Sequence, residues 1–397
     1  MSAASIVTGI LIARWLGPEA RGDYAAVSVY FLFSLVIFEL GLGASVVYHV
    51  AKAGSSYADY VRTAMWLLLP LAFLAGATAI LVGIPVFGDT DGRRAAFLVL
   101  PVSILISFGA VGPSFALQSV DIAKWNLVRM SQPLVFFLLT VGVGLCVPLT
   151  TFLVINLMNV SLLVQALISW WLYTRLTPAR GHIDKRYIGP LLRFGILNMF
   201  STTPNALNSR VDQLVLAVTV TSAALGQYAV AVSLSMLASP LVSAFGNVAF
   251  PRIARGDSVL ETIRTAVRGS LVVSVVVCGT VAIAGPWLVG HLLGDGYEQV
   301  TVLLLVLTPG AAVVAVNRVF GDILRGLGRP GFVAVCECVG VVLTVGGLMW
   351  LVPYFGILGA AITSSAVYMV VFLVLKQAIS HQVGRVKHPV PFDEPSD

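Results

Sequence analysis

The sequence is dominated by apolar runs of about 20 residues that are separated by short polar breaks, as in residues 64–86 and 267–292. A helix needs about 20 apolar residues to cross a bilayer, whereas the strands of a membrane β-barrel alternate between apolar and polar residues. Only 11% of the residues are charged, compared with roughly 25% in soluble domains. The pattern therefore predicts an all-α polytopic membrane protein without a soluble catalytic domain.

The apolar runs predict twelve membrane-spanning helices. Lys and Arg concentrate in the breaks on one side, and the other side holds only Arg14, Arg21, Arg93 and Arg94. Because basic residues favour the cytoplasmic side, this asymmetry predicts that both termini are cytoplasmic. The first run is only about 24 Å long as a helix, short of a hydrocarbon core of about 30 Å, so we expect either that translation starts upstream or that the chain is truncated. The predicted helices are residues 1–16, 24–47, 64–86, 95–117, 127–147, 150–173, 190–220, 224–250, 267–292, 299–324, 331–353 and 356–376.

A long polar connection divides the chain into two sets of six helices. It covers residues 174–190 and is rich in Arg, Lys, Pro and Gly. We therefore predict an N-terminal six-helix lobe at 1–187, a C-terminal six-helix lobe at 188–380 and a cytoplasmic tail at 381–397.

The two sets of helices share two similar segments. GDYAAVS (22–28) resembles LGQYAVAVS (225–233), and VYHVAKAG (47–54) resembles FPRIARGD (250–257). Both pairs are separated by an offset near 203 to 204 residues. Two similarities at one offset predict a six-helix unit duplicated in parallel orientation, an architecture of secondary transporters whose substrate path lies between the lobes.

Short motifs occur in a fixed order along nearly the whole chain. They are ARWLGPEARGDYAAV (13–27), ELGLG (39–43), RVDQLVL (210–216), LGQYAVA (225–231), AFPRIAR (249–255), LLGDGYEQ (292–299), LRGLGRP (324–330) and GILGAAI (356–362). In this order the sequence resembles the polysaccharide biosynthesis or oligosaccharide repeat-unit flippases of the multidrug/oligosaccharidyl-lipid/polysaccharide (MOP) exporter superfamily. The resemblance implies a two-lobe fold of about twelve helices. It also implies translocation of polyprenyl-pyrophosphate-linked oligosaccharide repeat units across the bacterial cytoplasmic membrane by alternating access.

The implied partners are the lipid-linked oligosaccharide, the lipid bilayer and the polysaccharide polymerase and glycosyltransferases of the same pathway. Most of the positive charges lie in loops, so we expect no nucleic-acid partner. A multidrug efflux transporter of the same superfamily and a membrane polymerase or glycosyltransferase are the alternatives. The predicted outer loops are short, the longest lying around GDTDGRR (88–94), and no G-x-x-x-x-G-K-[ST] motif occurs. We therefore predict a transporter that is not an enzyme and has no cofactor.

Basic residues inside predicted helices are candidate substrate-binding residues. A charge in a spanning segment costs several kcal/mol unless it meets water or a partner. Arg14 at the outer end of the first helix could bind a pyrophosphate in a central cavity through its guanidinium fork, or reach the outer headgroups instead. The further candidate cations are Arg210, in the middle of the predicted helix at 190–220, and Arg318, in the predicted helix at 299–324.

Four carboxylates are candidates for ion coupling or for a structural role. The resemblance makes Asp212 a candidate coupling residue, and the alternative is a bridge that fixes its helix to a neighbour. Asp322 lies four residues after Arg318, so these two can pair on one helix face. Glu39 and Glu337 are proton or sodium sites if they face the lumen and headgroup-level residues if they do not. His and Cys lack metal-ligand spacing, so no metal site is predicted.

Overall fold

The protein is described by a computed structural model over residues 3–52, 57–176, 181–294 and 296–387. These residues are almost entirely helical, and no strand occurs among them. Nine of the helices formed by the described residues are long and apolar enough to cross a membrane. The prediction of an all-α polytopic membrane protein is therefore confirmed.

The helices follow the predicted order. In the first part of the chain they are α1 (Ala3–Phe38), α2 (Leu42–Lys52), α3 (Tyr57–Thr78), α4 (Ile84–Phe87), α5 (Asp91–Val120), α6 (Ile122–Gly144) and α7 (Thr151–Leu176). The remaining helices are α8 (Ile188–Asn208), α9 (Val211–Thr219), α10 (Ser222–Ser235), α11 (Ser239–Arg255), α12 (Val259–Leu292), α13 (Val300–Gly326) and α14 (Pro330–Lys387). A π-helical turn (Ala79–Gly83) joins α3 to α4, and 3-10 turns (Lys185–Tyr187 and Met236–Ala238) precede α8 and α11.

Two long helices contain a break that separates two of the predicted spans. Gly17 interrupts α1 with φ 73° and ψ 173°, a conformation that glycine adopts without a steric penalty. Pro18 then starts the next helical segment, where its missing N–H has no helical partner to lose. Gly356 interrupts α14 in the same way, with φ 54° and ψ −136°. The first two and last two predicted helices therefore lie within α1, α2 and α14.

The predicted helix at 190–220 is divided. α8 ends at Asn208 and α9 starts at Val211, with Arg210 at φ −145° and ψ −2° between them. A residue with these angles does not continue an α-helix. This helix is the one predicted span that is not among the nine long apolar helices.

Backbone proximity divides the chain into two compact units. The first unit consists of Met1–Val230 together with Gly290–Glu298, and the second consists of Ala231–Val289 together with Gln299–Asp397. In the first unit α5 packs against α3 and α7, and in the second α13 packs against α11 and α14. These limits differ from the lobes at 1–187 and 188–380, which stay a prediction.

Large apolar side chains are exposed along the long helices. Leu81 is 73% exposed, Ile283 84% and Val342 71%. Apolar surface of this extent is unfavourable in water but suits contact with lipid chains. Together with the length of the helices, it identifies a multi-pass membrane protein.

Candidate functional site

The three predicted cavity cations lie in different parts of the structure. Arg14 is an exposed residue of α1 just before the Gly17 break. Arg210 is half-buried at the break between α8 and α9. Both belong to the first unit, whereas Arg318 is an exposed residue of α13 in the second unit. Neither unit therefore gathers all three.

The ion pair expected between Arg318 and Asp322 is not formed. Asp322 Oδ1 accepts a hydrogen bond from Arg325 Nη1 at 2.9 Å instead. Arg318 Nη1 donates to the hydroxyl of Ser239 in α11 at 3.3 Å. Neighbours at i+3 and i−4 both share a helix face with Asp322, and the Ser239 contact turns the Arg318 guanidinium towards α11. The prediction of that pair is wrong, and Arg325 is the partner.

The other predicted carboxylates occupy separate places. Glu39 lies between α1 and α2, where its Oε1 accepts a hydrogen bond from the Gly43 N–H at 2.9 Å. Asp212 is buried, and its Oδ2 accepts a hydrogen bond from the Tyr228 hydroxyl at 2.6 Å. Glu337 is buried in α14. The Asp212 contact joins α9 to α10, as a structural bridge between neighbouring helices requires.

A buried arginine that the sequence analysis assigned to an outer loop forms the strongest candidate site. Arg21 is only 8% exposed, in α1 shortly after the Gly17 break. Its Nε has no hydrogen-bond partner among the described residues, and its guanidinium carbon lies 5.4 Å from the centre of the Tyr24 ring. The groups that act on it electrostatically are Tyr24, Tyr297 and Arg210. Among the residues described, this set contains no carboxylate.

Tyr297 is a neighbour of Arg21 that stays neutral. Its hydroxyl is buried and donates a hydrogen bond to the Ala13 carbonyl at 2.6 Å. Burial raises the pKa of Tyr297 to about 12, although the positive charge of Arg21 acts in the opposite direction. The phenol is therefore protonated at physiological pH and does not neutralise the guanidinium.

Arg21 and Arg210 are two positive charges that act on each other, and Asp212 lies two residues after Arg210. Asp212 supplies a single carboxylate in the first turn of α9, where the helix dipole favours a negative charge. Its two oxygens accept hydrogen bonds from the Tyr228 hydroxyl at 2.6 Å and from the Gln213 N–H at 2.7 Å. No carboxylate is among the described groups that act on Arg21, so the charges of Arg21 and Arg210 are not neutralised there. Such a group can bind an anion.

Asp23 is the centre of a buried polar cluster in the same part of α1. Its Oδ1 accepts hydrogen bonds from Arg93 Nε at 2.8 Å and from the Ser222 hydroxyl at 2.7 Å. Its Oδ2 accepts a hydrogen bond from the Thr90 hydroxyl at 2.8 Å. Arg93 is 1% exposed, and its Nη1 also donates to the Ala217 carbonyl at 2.9 Å. These contacts compensate two buried charges and connect α1 and α5 to α9 and α10.

Two glycines bring α1 and α10 into contact beside this cluster. A Cβ atom on Gly22 would lie 1.7 Å from the Ser222 carbonyl oxygen, and one on Gly226 would lie 1.9 Å from the Pro18 carbonyl oxygen. Only glycine allows the two helices to approach so closely. Gly22 and Gly226 are equivalent positions of the two similar segments. The duplication of the six-helix unit stays a prediction.

The sequence analysis missed Arg21, Asp23 and Arg93 as site residues. All three lie near predicted helix ends, where polar side chains are normally solvated. The similarity between residues 22–28 and 225–233 could have pointed to this site, because it marks Gly22 and Asp23 as part of a repeated segment. The basic end of GDTDGRR, which contains Arg93, was a weaker indication of the site.

Comparison with known proteins identifies the family. Residues 2–257 match the family described as polysaccharide biosynthesis protein, and this match covers more than half of the chain. The chain belongs to the polysaccharide biosynthesis protein family. No curated protein matches its sequence.

Solved structures of transporters share the fold at low sequence identity. An inward-facing multidrug resistance MATE family transporter of the MOP superfamily is 15% identical with a TM-score of 0.75, over 98% of this chain and 97% of that chain. The lipid II flippase MurJ in an inward closed conformation is 12% identical with a TM-score of 0.78, over 95% of this chain and 85% of that chain. An outward-facing MATE transporter is 16% identical with a TM-score of 0.61, over 97% of both chains. The chain therefore has the fold that the resemblance implied, shared with multidrug MATE transporters and a lipid II flippase.

Proposed function

We propose that the protein is a flippase that moves polyprenyl-pyrophosphate-linked oligosaccharide repeat units to the outer leaflet of the bacterial cytoplasmic membrane. The observation that supports this most is the net positive group around Arg21 and Arg210. The polysaccharide biosynthesis family and the fold shared with a lipid II flippase agree with a lipid-linked glycan as substrate. Glycosyltransferases that assemble the repeat unit and a polymerase that consumes it complete the proposed pathway.

The diphosphate of the substrate explains the need for positive charge. It remains negative at physiological pH, and transfer of an ion into an apolar interior costs many kcal/mol by desolvation. Guanidinium is always charged and presents N–H groups in a fork that matches phosphate oxygens. Arg21 and Arg210 therefore hold the diphosphate while the polyprenyl chain stays in lipid.

The other predicted site residues take secondary roles in this proposal. Arg14 is exposed and lies in the same helix as Arg21. It contacts the substrate headgroup before or after Arg21 does. Arg318 is a further cation on the path. The carboxylates kept as coupling or structural candidates are Glu39, Asp212, Asp322 and Glu337.

Transport by alternating access requires the contact between α1 and α10 to open. Gly22 and Gly226 hold the helices together, and Asp23 adds a hydrogen bond across the contact to Ser222. With both termini cytoplasmic, this end of α1 faces outward. The contact is then the outer closure of the substrate path, and it separates when the headgroup leaves.

Multidrug efflux is the second candidate function, because a MATE transporter shares the fold over nearly the whole chain. A pump for hydrophobic cations needs an excess of carboxylates at its binding site. The group around Arg21 has the opposite sign of charge. The observed charge therefore favours an anionic substrate.

Complementation of a flippase-deficient strain tests the proposal. Arg21→Ala and Arg210→Ala should each abolish surface glycan while membrane abundance stays normal, and Arg21→Lys should retain partial export because it keeps the charge without the fork. Arg94→Ala is the matched control, since the Arg94 side chain is 58% exposed and lies near Arg93 without sharing its buried contacts.

Lipid-linked repeat units should accumulate on the inner leaflet in the two defective strains. Full glycan export by both alanine variants at normal abundance would remove the arginine site from the proposal. Drug resistance conferred by the wild-type protein, without any restored glycan, would assign the chain to efflux instead.

A further inference from the structure

A cavity of about 600 Å³ lies between α11 and α12, near the turn that joins them in the second unit. One part of its lining is apolar and includes Phe245 and Val248. The other part is polar and includes Arg252, Glu261 and Thr262. The cavity thus has an apolar wall beside a charged one, as a site for an amphipathic molecule does.

The cavity lies at the level where the lipid headgroups begin. α12 has 34 residues and is therefore about 51 Å long, which exceeds a hydrocarbon core of about 30 Å. Its exposed residues are basic at Arg264 and Arg268 and become apolar from Leu271 to Val276. Thr265, which lines the cavity, lies within about two turns of this change. The start of α12 and the cavity beside it are therefore in the headgroup layer.

The two charges in the cavity are not paired with each other. Arg252 and Glu261 are both exposed, and neither side chain forms an ion pair within the described part of the chain. The hydroxyl groups of Ser258 and Thr265 also line the space. A ligand with one negative and one positive group would satisfy both charges, whereas an anion alone would be repelled by Glu261.

The walls of the cavity are fixed by the local packing. A Cβ atom on Gly269 would lie 2.3 Å from the Phe245 ring, so this ring packs directly on the backbone of α12. The turn between α11 and α12 holds Ser258 at φ 41°, an unfavourable conformation for a residue other than glycine. A strained residue persists only where its surroundings define the backbone. The cavity is therefore a built feature of this helix pair.

We propose that this cavity binds the headgroup of a zwitterionic phospholipid with a primary ammonium group, phosphatidylethanolamine. Arg252 binds the phosphate, and Glu261 accepts a hydrogen bond from the ammonium group. Phosphatidylcholine lacks an ammonium N–H and cannot make the second contact. Phosphatidylglycerol has no positive group for Glu261. The site does not depend on which substrate the transporter carries.

Native mass spectrometry of the purified full-length protein with added lipids tests the site. We expect the wild-type protein to retain phosphatidylethanolamine about tenfold more tightly than phosphatidylcholine. The difference between the two lipids is one hydrogen bond from the ammonium group to Glu261. Arg252→Gln and Glu261→Gln should each remove most of this preference. Arg255→Gln and Asp257→Asn are the matched controls, because both residues are exposed in the same turn and do not line the cavity.

Thr265→Phe provides a variant that keeps both charges. The larger side chain fills the cavity, so phosphatidylethanolamine retention should fall although Arg252 and Glu261 are present. Equal retention of phosphatidylethanolamine and phosphatidylcholine by the wild-type protein would overturn the proposal. So would tighter retention of phosphatidylglycerol, or equal losses in Arg252→Gln and Arg255→Gln.

Discussion

Two adjacent arginines at the start of α5 allow a controlled test of the buried polar cluster. Arg93 is 1% exposed, and its Nε lies 2.8 Å from Asp23 Oδ1. The Arg94 side chain is 58% exposed, and its Nη1 lies 3.8 Å from a carboxylate oxygen of Asp91, which is fully exposed. We predict that Arg93→Gln strongly lowers the free energy of unfolding and that Arg94→Gln leaves it nearly unchanged.

The size of the effect follows from burial. Removal of one partner of a buried ion pair costs about 3 to 5 kcal/mol, because the other charge is left without compensation. Asp23 would keep its hydrogen bonds from the Thr90 and Ser222 hydroxyls, both of which support the carboxylate. We therefore expect the lower end of this range, about 3 kcal/mol, or on the order of a hundredfold in the ratio of folded to unfolded protein. Water screens the exposed pair of Arg94, so its loss has little effect.

Equilibrium unfolding in mixed micelles measures the two variants under the same conditions. A double-mutant cycle with Asp23→Asn extends the test, because either single variant leaves one buried charge and the double variant leaves none. The double variant should be less destabilised than the sum of the single variants. Equal stability of Arg93→Gln and Arg94→Gln, or full additivity in the cycle, would refute the assignment of Asp23 and Arg93 as a buried pair.

Two further substitutions test the helix contact and the role of Asp212. Gly226→Val should lower the stability by about 1 to 3 kcal/mol, because the Cβ of the valine would clash with the Pro18 carbonyl oxygen. Gly142→Val is the control and should be tolerated, because a Cβ atom at Gly142 has open space around it. Thermal unfolding compares the two variants. Asp212→Asn keeps an acceptor for the Tyr228 hydroxyl, so glycan export and membrane abundance should both stay normal. Lost export at normal abundance would instead indicate ion coupling.

The helices could be predicted from the sequence because the hydrocarbon core imposes a minimum apolar length on each span. The break at Ser209 and Arg210 could not be predicted, because the apolar run continues beyond it and hydropathy does not depend on backbone angles. The start of α12 was also placed late, at residue 267 rather than Val259. Glu261 and Arg264 are helical residues outside the apolar band, so an apolar run does not include them.

The candidate site was predicted only in part. Arg210 was identified because it interrupts an apolar run, which makes a charge conspicuous. Arg21 and Arg93 lie near helix ends, where the sequence offers no means of distinguishing a solvated arginine from a buried one. Their burial depends on the contact between Gly22 and Gly226, which lie about 200 residues apart in the chain. Only tertiary packing brings these positions together.

The contact between the two similar segments combines equivalent backbone positions with unequal charge. Each contacting glycine is followed by a polar residue, Asp23 after Gly22 and Gln227 after Gly226. Carboxylates at both positions would place two negative charges near one contact, and their repulsion would weaken the contact. Glutamine in the second segment removes that repulsion. Asp23 can then bind Arg93 without a second carboxylate at the contact.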